Sequence, residues 1–299
     1  MASLEIHPLS DLRDEAAGLL AERYARQRAA EPLLPEVTDF EPHLPHDGHV
    51  AMRGGQAVAY LAGAVDEEPK IARWLFAGHA AREPEALRDL FAVQAEEFGV
   101  SRFMLTTPAT DQALVDVWFR LGFGCQAVWA VREVEPAEPI DFDGTIRPAT
   151  PDDTEAGMEL DELLYAHQME TPSFSDYPPP PRERLRAEWD EVWNGTEPFI
   201  PFVAERDGQV VSLLGLYRRP EGDLRVPENN IDLAFAATRS DARGKGAGLA
   251  LTAHAMNWAH IEGFGSMTVD WRSVNLLSSR FWPRRGFRPQ YLRLYRAVP

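Results

Sequence analysis

Residues 243 to 248 read Arg-Gly-Lys-Gly-Ala-Gly, between a strand-like apolar run, Ile231 to Thr238, and a helix-like run, Leu249 to Glu262. Glycine adopts backbone conformations closed to other residues, so such a loop can turn its main-chain N–H groups toward one point at the positive end of a helix. That is how a pyrophosphate is held. The segment is not a P-loop, because no Gly-Lys-Ser/Thr follows the glycines, and it lacks the glycine spacing of the dinucleotide fingerprint. Taken alone, a glycine-rich hexamer is also read as a flexible turn.

A second motif decides between these readings. Arg243, Gly246 and Gly248 fill the pattern Arg/Gln-x-x-Gly-x-Gly/Ala, and downstream Asn275 is followed by Ser278, Trp282 and Gly286-Phe287 at the third, seventh, eleventh and twelfth positions. Upstream, Thr145 to Asp153 reads as an opening strand and Val203 to Ser212 as a strand-turn-strand hairpin. The segment from about 145 to 299 resembles the GNAT acyltransferases, with motif A at the glycine loop and motif B at Asn275 to Phe287. The resemblance implies an acetyl-CoA-dependent N-acyltransferase acting on an amine of a small molecule or peptide.

The first half carries a faded copy of the second. Asp111, Trp118, Gly122 and Phe123 repeat the offsets of Asn275, Trp282, Gly286 and Phe287. A helix is expected from about Pro84 to Phe98, a strand over Phe103 to Thr107, and a hairpin around Gly54-Gly55. The phosphate loop does not repeat, since Ala77 to Glu83 holds one glycine and no Arg-x-x-Gly-x-Gly. The expected fold class is α/β (α+β): two GNAT-like domains, each a mixed, mostly antiparallel sheet flanked by helices. A degenerate copy without a CoA loop is expected over 1–135, a Pro- and acid-rich linker over 136–143, and the catalytic copy over 144–299.

By the same resemblance the CoA pyrophosphate goes to Arg243, Gly244, Lys245, Gly246, Ala247 and Gly248, with the two basic side chains in support. The pantetheine arm runs beside Ala236, Ala237 and Thr238, with a main-chain N–H near Ala237 facing the thioester oxygen, while Asn275, Ser278 and Trp282 flank the arm's far part. Asp232, six residues before Thr238 in an apolar run, is the first choice for the base that takes the amine proton; the alternative is a carboxylate that points outward or caps the strand. Most members carry Tyr where this chain has Trp282, and an indole N–H is no acid. The leaving thiolate is then protonated by water, or by Tyr291 or Tyr295. The acceptor is expected against the aromatic and acidic segment Leu160 to Pro181, with Tyr165, His167 and Glu170 as contacts, and against Asp270. Trp189 and Trp193 read as core, and the four prolines 178–181 as an extended spacer.

Composition narrows the partners. Hydrophobic content of 44% and charged content of 26% belong to an ordinary globular protein. A net charge of −17 argues against nucleic acid, and it fits both plain solubility and a cationic amine substrate. No run approaches the length of a membrane span, and the first residues lack an apolar signal core, so a cytoplasmic location without a membrane partner is expected. The single cysteine, Cys125, reads as a small apolar group, and His167 has no second ligand, so no metal is expected. Homodimerisation stays open. A second functional reading, raised by Trp282, is a CoA-binding sensor or partner-binding protein with little or no turnover.

Overall fold

A computed structural model of the chain describes residues 3–170, 172–174, 178–220 and 222–298. The elements run β1 (Leu4–Pro8), α1 (Arg13–Ala30), β2 (Gly48–Arg53), β3 (Gln56–Ala62), β4 (Ala64–Asp66), β5 (Ile71–Trp74), β6 (His79–Ala81), α2 (Ala86–Phe98), β7 (Arg102–Pro108), α3 (Gln112–Arg120) and β8 (Gly124–Glu133). Then follow β9 (Thr145–Pro148), α4 (Thr154–Met169), α5 (Arg182–Trp193), β10 (Phe199–Arg206), β11 (Gln209–Tyr217), β12 (Asn230–Thr238), α6 (Ala247–Ile261), β13 (Ser266–Arg272), α7 (Ser278–Phe281) and β14 (Arg288–Ala297). Two compact units result, one of residues 1–130 with 289–299 and one of residues 131–288. The C-terminal strand therefore packs with the first unit, where the sequence reading had kept 144–299 together.

In the first unit, β1, β2, β3 and β6 form an antiparallel sheet, and β4, β5, β7, β14 and β8 lie side by side. The β2–β3 hairpin turns at Gly54 and Gly55, both at positive φ (58° and 77°), which explains the glycine pair there. β14 pairs antiparallel with β7 from Tyr291 opposite Pro108 to Ala297 opposite Arg102, burying Tyr291 and Leu294. Trp74, Phe91, Phe103, Trp118 and Phe123 lie in the apolar core, and the partly buried Cys125 packs against it. Where a phosphate loop would fall, His79–Ala81 is instead a buried strand paired with β3.

The repeat inferred from spacing is visible as shared local chemistry. Asp111 caps α3 by accepting the Leu114 N–H at 3.3 Å, and Asn275 caps the turn into α7 by accepting the Leu277 N–H at 3.0 Å. Trp118 and Phe123 meet edge to face at 5.6 Å, and Trp282 and Phe287 do so at 5.7 Å. Each helix thus ends in a glycine turn that folds the next aromatic back onto its tryptophan.

In the second unit β9, β10, β11 and β12 are successively antiparallel. β13 pairs parallel to β12, and α6 supplies the crossover that a parallel pair requires. α4 is held by α5. A Cβ on Gly157 would come within 2.3 Å of the Trp189 ring, so only glycine permits this approach. Trp189 Nε1 donates to Asp161 Oδ2 at 3.0 Å and Trp193 Nε1 to Thr154 Oγ1 at 2.9 Å, so both tryptophans fix α4, as core residues do. Pro181, last of the proline run, has extended φ/ψ (−56°, 143°) and leads directly into α5.

Burial against α5, with a smaller contribution from Glu188 and Glu162, pushes the Asp161 carboxyl up to about 6 from 3.8. Because the folded value is raised, this group's contribution to stability is complete below about 3.8 and is lost as the pH rises through about 6. Asp161→Asn keeps an acceptor for the indole and removes the charge. We expect the variant to be about 1–3 kcal/mol more stable at pH 8 and close to wild type at pH 4, read by urea melts across that range. An equal change at both pH values would contradict the burial argument.

Candidate functional site

The glycine loop closes by backbone conformation. Gly244 and Gly246 stand at φ 74° and 91°, a region that side-chain-bearing residues avoid, and Gly246 becomes the cap of α6. The helix starts at Ala247, two residues earlier than the sequence suggested, so Ala247 and Gly248 lie in its first turn. Its first bond runs from Ala250 N to Gly246 O at 2.9 Å. The N–H groups of Ala247, Gly248 and Leu249 then have no acceptor within the helix, and no side chain caps the end. Converging N–H donors at a positive helix terminus make an anion site.

Of the two basic side chains, Arg243 braces this loop. Arg243 Nε donates to the Thr238 carbonyl at 3.2 Å. Lys245 is exposed, and its carbonyl accepts from Arg206 Nη2 at 3.3 Å. Arg206 also donates to Asp143 O at 2.7 Å and lies over the Phe142 ring. Sequence reasoning missed Arg206, because β10 meets the loop only in the folded chain.

β12 opens along one edge. Its pairing with β11 continues to Thr238 opposite Ser212, whereas its pairing with β13 ends at Leu233 opposite Val269. The β11–β12 register shifts by one residue between Gly215 and Leu216, setting Ala234 as an extra residue where the strands part. Arg239 N donates to Val211 O at 2.9 Å, so by the alternation of an antiparallel ladder Ala237 is also bonded to β11. The main-chain groups of Ala236 and Thr238 face the open edge. The donors nearest an incoming carbonyl are therefore those of Ala236 and Thr238, flanking the position expected from sequence. Ser212 stiffens this stretch, donating to Ala237 O at 2.8 Å and lying 2.7 Å from Thr238 Oγ1.

The edge, the loop and α6 border a cleft of about 540 Å³. Lining it are Ala236, Ala237, Thr238, Arg243, Gly244, Gly246, Ala247 and Gly248, with Asn275, Ser278 and Trp282 opposite. The structure thus brings together every residue expected to hold CoA except Lys245. Asn275 is buried and accepts from the Leu277 and Ser278 N–H groups, so the same side chain shapes the wall and caps it. Trp282 is a buried apolar wall. Sequence reasoning did not name Leu163 and Leu164 of α4, Ser212 to Leu214 of β11, or Phe281 and Arg285. For α4 the available signal was that Leu163 and Leu164 stand four and three residues before His167, on one helix face. Ser212 is found from its register opposite Thr238.

Of the residues expected on the acceptor side, His167 alone reaches the cleft; its Nε2 lies 3.5 Å from Asn275 Oδ1. Tyr165 faces α5, where burial and the nearby Glu188 and Asp161 raise its phenol's pKa. Glu170 is an exposed residue at the end of α4, and Asp270 is exposed on β13. Neither lines the cleft. Thr171, Ser175, Asp176 and Tyr177 of the same segment lie outside the described residues.

The two residues expected to move protons are elsewhere. Asp232 is buried, accepts from Arg219 Nη2 at 2.6 Å on one oxygen and from Thr268 Oγ1 at 2.7 Å on the other, and does not line the cleft. Thr268 in turn accepts from Asn230, which accepts from Ser266. An apolar run around a carboxylate suggested a desolvated base; the folded chain instead engages both of its oxygens with side-chain donors. Tyr291 is buried in the first unit with its ring edge on Phe76, and Tyr295 shares its strand; neither lines the cleft.

A splayed strand edge, a glycine loop and an uncapped helix terminus around one cleft are arranged as in the GNAT fold. Residues 162–287, within the second unit, match the Acetyltransferase (GNAT) family. No curated protein matches the sequence. Among solved structures, the chain is similar to a GCN5-related N-acetyltransferase from Sphaerobacter thermophilus (13% identity, 98% of this chain and 95% of that one, TM-score 0.62). It is also similar to a tandem GNAT protein from the clavulanic acid biosynthesis pathway (16% identity, 99% of both chains, TM-score 0.53). A third is a GNAT-family acetyltransferase from Colwellia psychrerythraea (12% identity, 99% and 100%, TM-score 0.52). These likenesses are of fold. Among the described residues no helix is long and apolar enough to cross a membrane, and no cluster of metal-ligating side chains occurs.

Proposed function

We propose that the second unit transfers an acetyl group from acetyl-CoA to a primary amine of a small molecule or peptide, and that CoA binds once per chain. The open edge of β12 beside an uncapped α6 terminus carries this reading. The residues fit the group: the first-turn N–H groups of α6 would hold the pyrophosphate, and the edge from Ala236 to Thr238 would pair with the amide-bearing arm as an added strand. Bound acetyl-CoA supplies an acyl carbon joined to a thiol leaving group. The protein's share is to orient that carbon and donate N–H groups to the carbonyl oxygen as it gains negative charge. The apolar wall of Leu163, Leu164, Leu213 and Trp282 excludes water, which suppresses hydrolysis.

Among the described residues the first unit has no equivalent of the glycine loop. His79–Ala81 is a strand paired with β3 along one edge, the first N–H groups of α2 donate to the Glu83, Pro84 and Glu85 carbonyls, and the charges of Glu83 and Glu85 oppose a pyrophosphate. The sensor reading is favoured by Trp282 alone. A panel of amines with acetyl-CoA, followed by thiol release, separates the two: amine-dependent release supports transfer, and CoA binding without release for any amine supports a sensor.

A further inference from the structure

The cleft has no carboxylate, phenol, thiol or primary amine among the described residues lining it. His167 is the one imidazole among the described residues lining it; the charged groups beside it on the cleft wall are Arg243, held on the Thr238 carbonyl, and Arg285, stacked over Phe281. Leu163 and Leu164, four and three residues before it, line the same wall, so α4 shows His167 to the cleft from a face fixed by its packing on α5.

The tautomer follows from Asn275. Its Oδ1 is identified as oxygen because two main-chain N–H groups, of Leu277 and Ser278, point to it at 3.0 and 3.4 Å. An amide oxygen only accepts, so His167 Nε2, 3.5 Å away, must carry the hydrogen. The lone pair is left on Nδ1.

We propose that His167 is the general base, with Nδ1 taking the proton of the attacking amine while Asn275 holds the ring. This rests on the acyl-transfer reading above. In the transfer the amine nitrogen forms a bond to the acyl carbon, the carbon–sulfur bond breaks with its electron pair leaving on sulfur, the nitrogen's proton passes to Nδ1, and water protonates the thiolate. His167 then returns its proton to solvent. The assignment replaces a carboxylate, Asp232, whose two oxygens are both engaged outside the cleft.

His167→Gln retains a donor for Asn275 and has no basic nitrogen. Its kcat is expected to fall roughly 100-fold or more, the range for a lost general base, with the calorimetric Kd for CoA within about twofold of wild type. In His167→Ala, added imidazole is expected to restore part of the rate. A readout independent of turnover is the long-range 1H–15N NMR spectrum of the imidazole, assigned by its loss in His167→Gln. An Nε2–H tautomer is expected; an Nδ1–H tautomer overturns the proposal. Full activity in His167→Gln also overturns it while leaving acyl transfer intact. Absence of transfer to any amine by wild type defeats the acyl-transfer reading instead, and the base role falls with it.

Discussion

Gly246→Val is expected to weaken CoA binding at least 100-fold while the protein still folds. Gly246 has φ 91°, and valine, branched at Cβ, is strained there whatever space surrounds it. The nearest atom to an added Cβ is the Asp141 carbonyl oxygen at 3.6 Å, so the damage is conformational rather than a clash. Relief of the strain would rotate the peptide that starts α6 and turn its free N–H groups away from the anion. Buried core residues are untouched, so the melting temperature should shift by only a few degrees. Affinity retained within about twofold in a calorimetric titration would place the pyrophosphate elsewhere.

The second large effect concerns the open strand edge, and it separates neighbouring residues. Ala236→Pro removes an N–H that faces the cleft, whereas Ala237→Pro removes one bonded to β11. The first variant should fold and lose about 10²–10³ in transfer rate, the loss typical of a missing donor to a developing oxyanion. The second should lose stability by about 3 kcal/mol or more. Stability from thermal melts and rates from thiol release distinguish them. Equal destabilisation with equal rates would mean that the edge is not used in this alternating way.

How far the site is legible from sequence depends on the range of the interaction. The glycine loop is a local constraint, since positive φ at Gly244 and Gly246 is available to few other residues. The helix caps at Asp111 and Asn275 are local too, and their fixed offsets to Trp118 and Trp282 exposed the repeat. The destination of β14 was not legible. Alternation identifies a strand but not its partner, and pairing with β7 spans nearly two hundred residues of chain. The partner of Asp232 was hidden for a similar reason: Arg219 comes from the long connection between β11 and β12, and no local pattern announces that it turns back onto the carboxylate. On α4, His167 and Tyr165 were both expected as contacts, and the packing of Trp189 against Gly157 sets which face meets α5 and which the cleft.

The most direct measurement is calorimetric titration of the full chain with CoA. One molecule bound per chain, with affinity lost in Gly246→Val, is the predicted result. Two equivalent sites per chain, or no binding at millimolar CoA, would contradict an account in which, among the described residues, the glycine loop at the head of a helix belongs to the second unit alone.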